Sequence, residues 1–309
     1  PPPPTPPPSS NRRQRQMCIR DSLRVEVRTL RGLQEGVANL VRLLSEYQVR
    51  ASFFFPLGRD LSGRSPVTTW KDRASLGTRA MLYGTLLPAP SLARTAAAAM
   101  ALARENGHEV GLLGLSPWSW SSGLAHADAP WVDRQCTRLW EAFVAAQGVA
   151  PTSLATPDWQ ISPQMLDRLT PGRSRYSTLT RGKLPYFPVL LGVRSRIPEI
   201  PTTLPTVDEL LQQSGVSMNN VHEHLYVLSQ RVLPAGHVFA ASAEREGLGR
   251  LPLMEKMLVM WKGQEGSVRA LGDLLQQIDV ATLPYHQVGW GAVGDGSVPV
   301  AMQSLQVPA

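Results

Sequence analysis

Residues 23–27, Leu-Arg-Val-Glu-Val, alternate apolar and polar, which predicts a short strand. Residues 35–47 place Val37, Leu40, Val41 and Leu44 on one stripe, which predicts an amphipathic helix. Residues 51–55, Ala-Ser-Phe-Phe-Phe, form an apolar run that ends at Pro56 and predicts a buried strand. This strand–helix–strand order constrains the chain more than any other feature, because a helical crossover joins parallel neighbours in one sheet.

The alternation continues. Residues 91–105 are alanine-rich and helical, closed by Asn106 and Gly107. Strands are expected at 108–113, 152–156, 176–178, 189–193 and 237–242. Helices are expected at 129–147, 162–169, 207–213, 218–231 and 251–262, with one more inside 267–277. Residues 200–204 lie between prolines and read as irregular or edge structure. The whole predicts an α/β fold, either a (β/α) barrel or an open doubly wound sheet.

One domain over residues 23–288 accounts for this pattern. Residues 1–22 are a proline run and a basic stretch unrelated to the rest of the chain, expected to be foreign or disordered. Residues 289–309 are rich in Gly, Val and Pro without a period, and are expected to be a flexible tail. Residues 56–90 are the longest weakly patterned stretch, a place where substrate contacts often sit. The net charge is +7, with four of the arginines in the N-terminal segment. The remaining Lys and Arg are scattered without interleaved aromatics, so no nucleic-acid partner is expected. Weak attraction to anionic headgroups stays open as a route to peripheral membrane association. The chain has two cysteines, Cys18 and Cys136, one of them in the excluded segment, which fits a reduced, cytoplasmic setting. No apolar run is long enough to span a bilayer.

Several chemistries find no support. There is no Gly-x-Ser-x-Gly elbow, and no Gly-x-Gly-x-x-Gly after the first strand. His222 and His224 are two apart on a helix and do not share a face. Trp118, Trp120 and Trp131 fall near one another in sequence and read equally as functional aromatics, stacking on sugar rings or sitting at a membrane interface, or as caps on the core.

Residues 23–32, Leu-Arg-Val-Glu-Val-Arg-Thr-Leu-Arg-Gly, resemble the first motif of the polysaccharide deacetylase superfamily. The segments Ala51-Ser52-Phe53-Phe54-Phe55, His108-Glu109-Val110-Gly111-Leu112, Leu204-Pro205-Thr206-Val207-Asp208-Glu209 and Ala243-Glu244-Arg245-Glu246-Gly247 agree in order and spacing. They resemble the branch that deformylates undecaprenyl-phosphate-linked formamido-arabinose in lipid A modification. The resemblance implies a distorted (β/α) barrel with its site at the C-terminal ends of the strands. It also implies a metal that polarises an amide carbonyl and activates water, held by an Asp and two His, with another Asp as base.

At the positions that the resemblance assigns to those groups, this chain differs. Glu26 stands for the base, and Arg28 for the metal-binding Asp. Leu113 and Pro117 stand for the two His, Gln160 for an Arg, Leu179 for an orienting Asp, and Ser242 for a late His acid. Asp158 lies beside this set. A guanidinium cannot ligate a cation, and Leu and Pro side chains have no lone pair to give. The expectation is therefore no bound metal and no cofactor, with Arg28 paired to Glu26 and Asp158. Glu26 remains a candidate base, while Trp118, Trp120 and His237 are candidate ligand contacts. Three functions stay open: a pseudoenzyme binding a phospho-sugar lipid or a protein partner, a divergent metal-free amide hydrolase, or a scaffold for polyprenyl-phosphate sugar enzymes. Each would work in the cytoplasm or at the inner membrane.

Overall fold

The computed structural model describes residues 21–65, 70, 73–263, 268–293 and 298–308. The expectation for residues 1–20 lies outside that range.

Six parallel strands form the main sheet: β1 (Ser22–Glu26), β2 (Ser52–Phe55), β3 (Glu109–Leu112), β4 (Ser153–Ala155), β5 (Tyr176–Thr178) and β8 (Val238–Ser242), in the order β5-β4-β3-β2-β1-β8. The sheet curls into a half-barrel. Each residue of β1 and β2 is buried, as expected of strands covered on both faces. The two outer strands, β5 and β8, are joined by an irregular stave at residues 198–204. Ile200 N donates to Ser177 O at 2.8 Å and Thr202 N to Thr180 O at 2.9 Å. On the other side Leu204 N donates to Val238 O at 3.1 Å. The proline-flanked segment is thus the irregular closure of the barrel, a job that a regular strand with prolines at its ends does poorly.

Helices α1 (Val37–Glu46), α2 (Ala93–Glu105), α3 (Pro117–Gly123), α4 (Ala129–Gln147), α5 (Pro163–Arg168), α6 (Val207–Leu210), α7 (Val221–Ser229), α8 (Leu251–Lys262) and α9 (Leu271–Leu275) surround it. Helix α1 buries the predicted stripe of Val37, Leu40, Val41 and Leu44. Wide π-turns at Gly32–Gly36 and Arg245–Gly249 follow β1 and β8. They pack backbone against backbone: a Cβ on Gly36 would lie 2.1 Å from Ala243 O, and one on Gly247 would lie 2.6 Å from Gly36 O. Only glycine permits this approach, which ties together the loops that carry the site.

A second sheet has the order β10-β9-β6-β7, from β6 (Phe187–Leu190), β7 (Val193–Arg194), β9 (Tyr285–Gly291) and β10 (Val300–Val307). The single strand expected at 189–193 is instead a hairpin. Leu191 and Gly192 take positive φ, 48° and 82°, as a two-residue turn of this hand requires. The flexible tail expected at 289–309 is corrected too. Its described residues include all of β10, which pairs antiparallel with β9 and buries Val300 and Ala301. A register shift between Gln303 and Gln306 breaks the period and hides the strand in the sequence. The boundary at 22/23 also moves, because Asp21 and Ser22 are buried and Ser22 N donates to His237 O at 2.7 Å.

Candidate functional site

Residues two apart on a strand point the same way, so Arg24, Glu26 and Arg28 project from β1 and its end to one side. Glu26 is only 4% exposed and lies between the two guanidinium groups. Arg24 Nη2 donates to Glu26 Oε1. Arg28 donates to Glu26 Oε2 from Nε at 3.0 Å and from Nη2 at 2.6 Å. Arg28 Nη1 then reaches Asp158 Oδ1 at 2.8 Å, and Ser121 Oγ on α3 donates to the other oxygen of Asp158. Burial works against the charge on Arg28, but Asp158 and Glu26 outweigh it and raise its pKa. Burial likewise opposes ionisation of Asp158, yet Arg28 and the Ser121 hydroxyl hold its carboxyl below the usual value.

Arg24 is completely buried. Its Nη1 donates to Thr178 O at 2.9 Å, Thr178 Oγ1 at 3.1 Å and Thr202 Oγ1 at 3.2 Å. Its guanidinium also lies 5.7 Å from the Phe54 ring and 5.6 Å from Trp159. Burial lowers its pKa, partly offset by Glu26 and Glu199.

The turn after β4 aims the far partner. Asp158 and Trp159 have φ of 53° and 49°, left-handed values that cost roughly 1–3 kcal/mol each for such residues. This backbone brings the Asp158 carboxylate to Arg28 and the Trp159 indole N–H to Thr202 Oγ1 at 3.0 Å. Arg181 covers the same indole at 4.6 Å and forms a paired salt bridge with Glu209, at 2.8 and 3.1 Å.

The other predicted positions divide. Leu113 is fully buried against a cluster that includes Phe54, Ala155, Tyr176 and Ile200. Pro117 is buried at the first turn of α3. Leu179 is in the core, its N–H given to Glu199. Gln160 Nε2 donates to Pro299 O at 2.9 Å, so it pins the C-terminal segment near the site. Ser242 Oγ donates to Glu244 Oε2 at 2.9 Å, while Glu244 Oε1 accepts from Arg28 N and Thr29 N at 2.8 and 2.9 Å.

Two candidate contacts are corrected. His237 precedes β8, at the opposite end of the barrel from Ser242, about 15 Å along the strand. Its ring nitrogens contact Thr203 Oγ1 and Arg231 O. Trp120 is fully buried, with its N–H on Gln135, and is a core residue. Trp118 is half-buried at the surface. Sequence reasoning assigned no role to Arg24, Ser121 or Arg181. For Arg24 a signal was present: Arg, Glu and Arg at alternate positions of one predicted strand.

The residues at these positions do not fit the metal that the resemblance implies. A cationic guanidinium lies between the two carboxylates, Leu113 packs among apolar side chains, and Pro117 offers no donor. Among the described residues no three His, Cys, Asp or Glu side chains gather as a ligand set.

No family model matches the chain. It is 26% identical over 270 residues to a probable 4-deoxy-4-formamido-L-arabinose-phosphoundecaprenol deformylase of Shewanella sediminis, covering 84% of this chain and 86% of that protein. Among solved structures it resembles a probable polysaccharide deacetylase from Pseudomonas aeruginosa, with a TM-score of 0.57 and 12% identity over 83% of this chain and 89% of the other. It also resembles a mutant CE4 family pseudoenzyme with restored enzymatic activity, with a TM-score of 0.50 and 10% identity over 84% of this chain and 68% of the other. The fold is that of the polysaccharide deacetylases, and the sequence match supports a place in that superfamily. Its sequence similarity is to a formamido-arabinose deformylase, at 26% identity.

Proposed function

We propose that this protein is a non-catalytic deformylase homologue that binds a phospho-sugar lipid of the undecaprenyl-phosphate class in lipid A modification. One observation carries the reading: Arg28 holds Glu26 and Asp158 together at the position where the resemblance calls for a metal-binding Asp. The fixed charge neutralises carboxylates that would otherwise repel each other near the barrel mouth. Glu26 is a poor candidate base, since N–H groups of Arg24 and Arg28 occupy both its oxygens. The CE4 structure of similar fold is a mutant of a pseudoenzyme with its activity restored, which supports the view that the parent kept such a barrel without the activity. The substrate named for the Shewanella relative supplies the ligand class. The place of work in this reading is the cytoplasmic face of the inner membrane, reached peripherally. No helix among the described residues is long and apolar enough to cross a membrane.

The test pairs elemental analysis of the full chain with formate release from formamido-arabinose-phosphoundecaprenol, with and without added zinc, cobalt or manganese. The expected result is retention of the lipid on the protein and no formate above background. Metal-dependent formate release overturns the reading, and so does failure to retain the lipid.

A further inference from the structure

A groove of about 380 Å³ opens between α3 and the start of α4, lined by Trp118, Ser119, Ser122, Asp128 and Trp131 among others. The groove is open and shallow, with room for one ring face beside the indoles rather than for a whole enclosed ligand. Both indoles are held in place. Trp118 donates its N–H to Arg64 O at 3.0 Å and carries the Arg64 guanidinium 5.3 Å from its ring. Trp131 packs against buried Trp120, with ring centroids 6.4 Å apart, and its backbone N–H is capped by Asp128 Oδ1 at 2.8 Å. Aromatic faces fixed before binding lose little entropy when a ligand arrives.

The lining selects the ligand. It contains no Lys or Arg, and the neighbouring Arg64 is engaged with the Trp118 ring and Gly84 O, so the lining itself offers a phosphate no charge partner. It offers two indoles, the hydroxyl of Ser119, the Ser122 oxygen as an acceptor while its proton goes to Trp118 O, and a carboxylate with one oxygen unused by the helix cap. A pyranose ring presents a matching surface, with an apolar C–H face for an indole and hydroxyls at its rim for the carboxylate and serines. The groove also belongs to the same helix as Ser121, whose hydroxyl holds Asp158 in the converted centre.

We infer that the Trp118–Trp131 groove is a binding site for a neutral pyranose ring, beside the Arg28 centre and separate from it. This rests on the proposed function for the class of ligand, a saccharide, and adds where the ring is held. The ring could be the head of a glycolipid or a unit of a polysaccharide. The same site chemistry serves both.

The experiment titrates the full chain with methyl L-arabinopyranoside, xylotetraose and chitotetraose, read by tryptophan fluorescence. The expected result is saturable change with at least one of them, at a Kd of about 1 mM or tighter. A response to the monosaccharide alone assigns the groove to a headgroup, and a response to the tetramers alone assigns it to a chain. Trp118→Ala is expected to weaken binding about tenfold or more. Ser122→Phe fills the groove from an exposed position and is expected to abolish binding while the thermal melt is kept. No response to any of the sugars overturns the inference, as does an undiminished response in Ser122→Phe. Metal content and formate release report on the proposed function, so the two can fail independently.

Discussion

The guanidinium of Arg28 bridges to Asp158 across 130 residues of chain, with Nη1 2.8 Å from Oδ1, and so ties the end of β1 to the left-handed turn after β4. The same side chain holds Glu26 at 2.6 Å. Arg28 is therefore a cross-brace of the barrel mouth. Removing it leaves a buried carboxylate with one cation fewer. The Arg28 side chain is 31% exposed, so water screens part of the loss. Arg28→Ala is expected to lower stability by about 1–3 kcal/mol, measured by urea unfolding. A variant as stable as the parent would show that the brace adds nothing to the fold.

Arg24 should matter more. It is fully buried, and its loss takes the Arg24 donor from Glu26 Oε1, Thr178 O and Thr178 Oγ1. Arg24→Met keeps most of the volume and is expected to cost about 3–5 kcal/mol. The order of the two effects is the test: if Arg28→Ala destabilises more than Arg24→Met, the inner guanidinium is not the principal partner of Glu26.

The sheet explains which of these residues are legible in the sequence. Helix α4 at Ala129–Gln147 and strand β5 at Tyr176–Thr178 coincide with their expected spans, because Gly148 and the flanking turn residues mark them. The pairing of Arg28 with Glu26 and Asp158 is legible from residue type and strand period. Arg24 shares that alternation, but its burial is not legible, because a strand with one exposed face sends its polar side chains to solvent. A parallel strand is buried on both faces, so its polar face points into the barrel. His237 misleads for a related reason. Loops that precede a parallel strand lie at the end opposite the site, and proximity to β8 in sequence says nothing of which end.

His108 predicts a pH dependence. It is buried beside Phe53, and its Nδ1 accepts from Ala51 N at 3.3 Å. Burial, with Arg50 adding to it, lowers its pKa from 6.5 to about 4. The unfolded chain then binds the proton more tightly, so stability is full above pH 6.5 and falls as the pH drops toward 4. The loss is about 2–3 kcal/mol over that window. His108→Asn keeps an acceptor near Ala51 and cannot titrate. Its stability is expected to be flatter between pH 6.5 and 4. An equal slope in both proteins would assign the dependence elsewhere. Asp158, whose pKa is lowered, adds a loss of the same sign at still lower pH.

Rebuilding the ligand set tests whether the centre was converted in place. In Arg28→Asp/Leu113→His/Pro117→His, two carboxylates two residues apart face one side, and two imidazoles stand just after β3 and at the start of α3. Without metal this variant is expected to be weaker than the parent by about 3 kcal/mol or more, since it loses the Arg28 brace and the apolar packing of Leu113. Zinc binds the folded state only, and so returns stability as its concentration rises past the dissociation constant. The expected signature is a melting temperature that climbs with zinc in the variant and stays level in the parent. If zinc moves neither, the framework around Arg28 has itself changed, and the substitutions at Arg28, Leu113 and Pro117 are the least of what separates this chain from a metal-dependent deformylase.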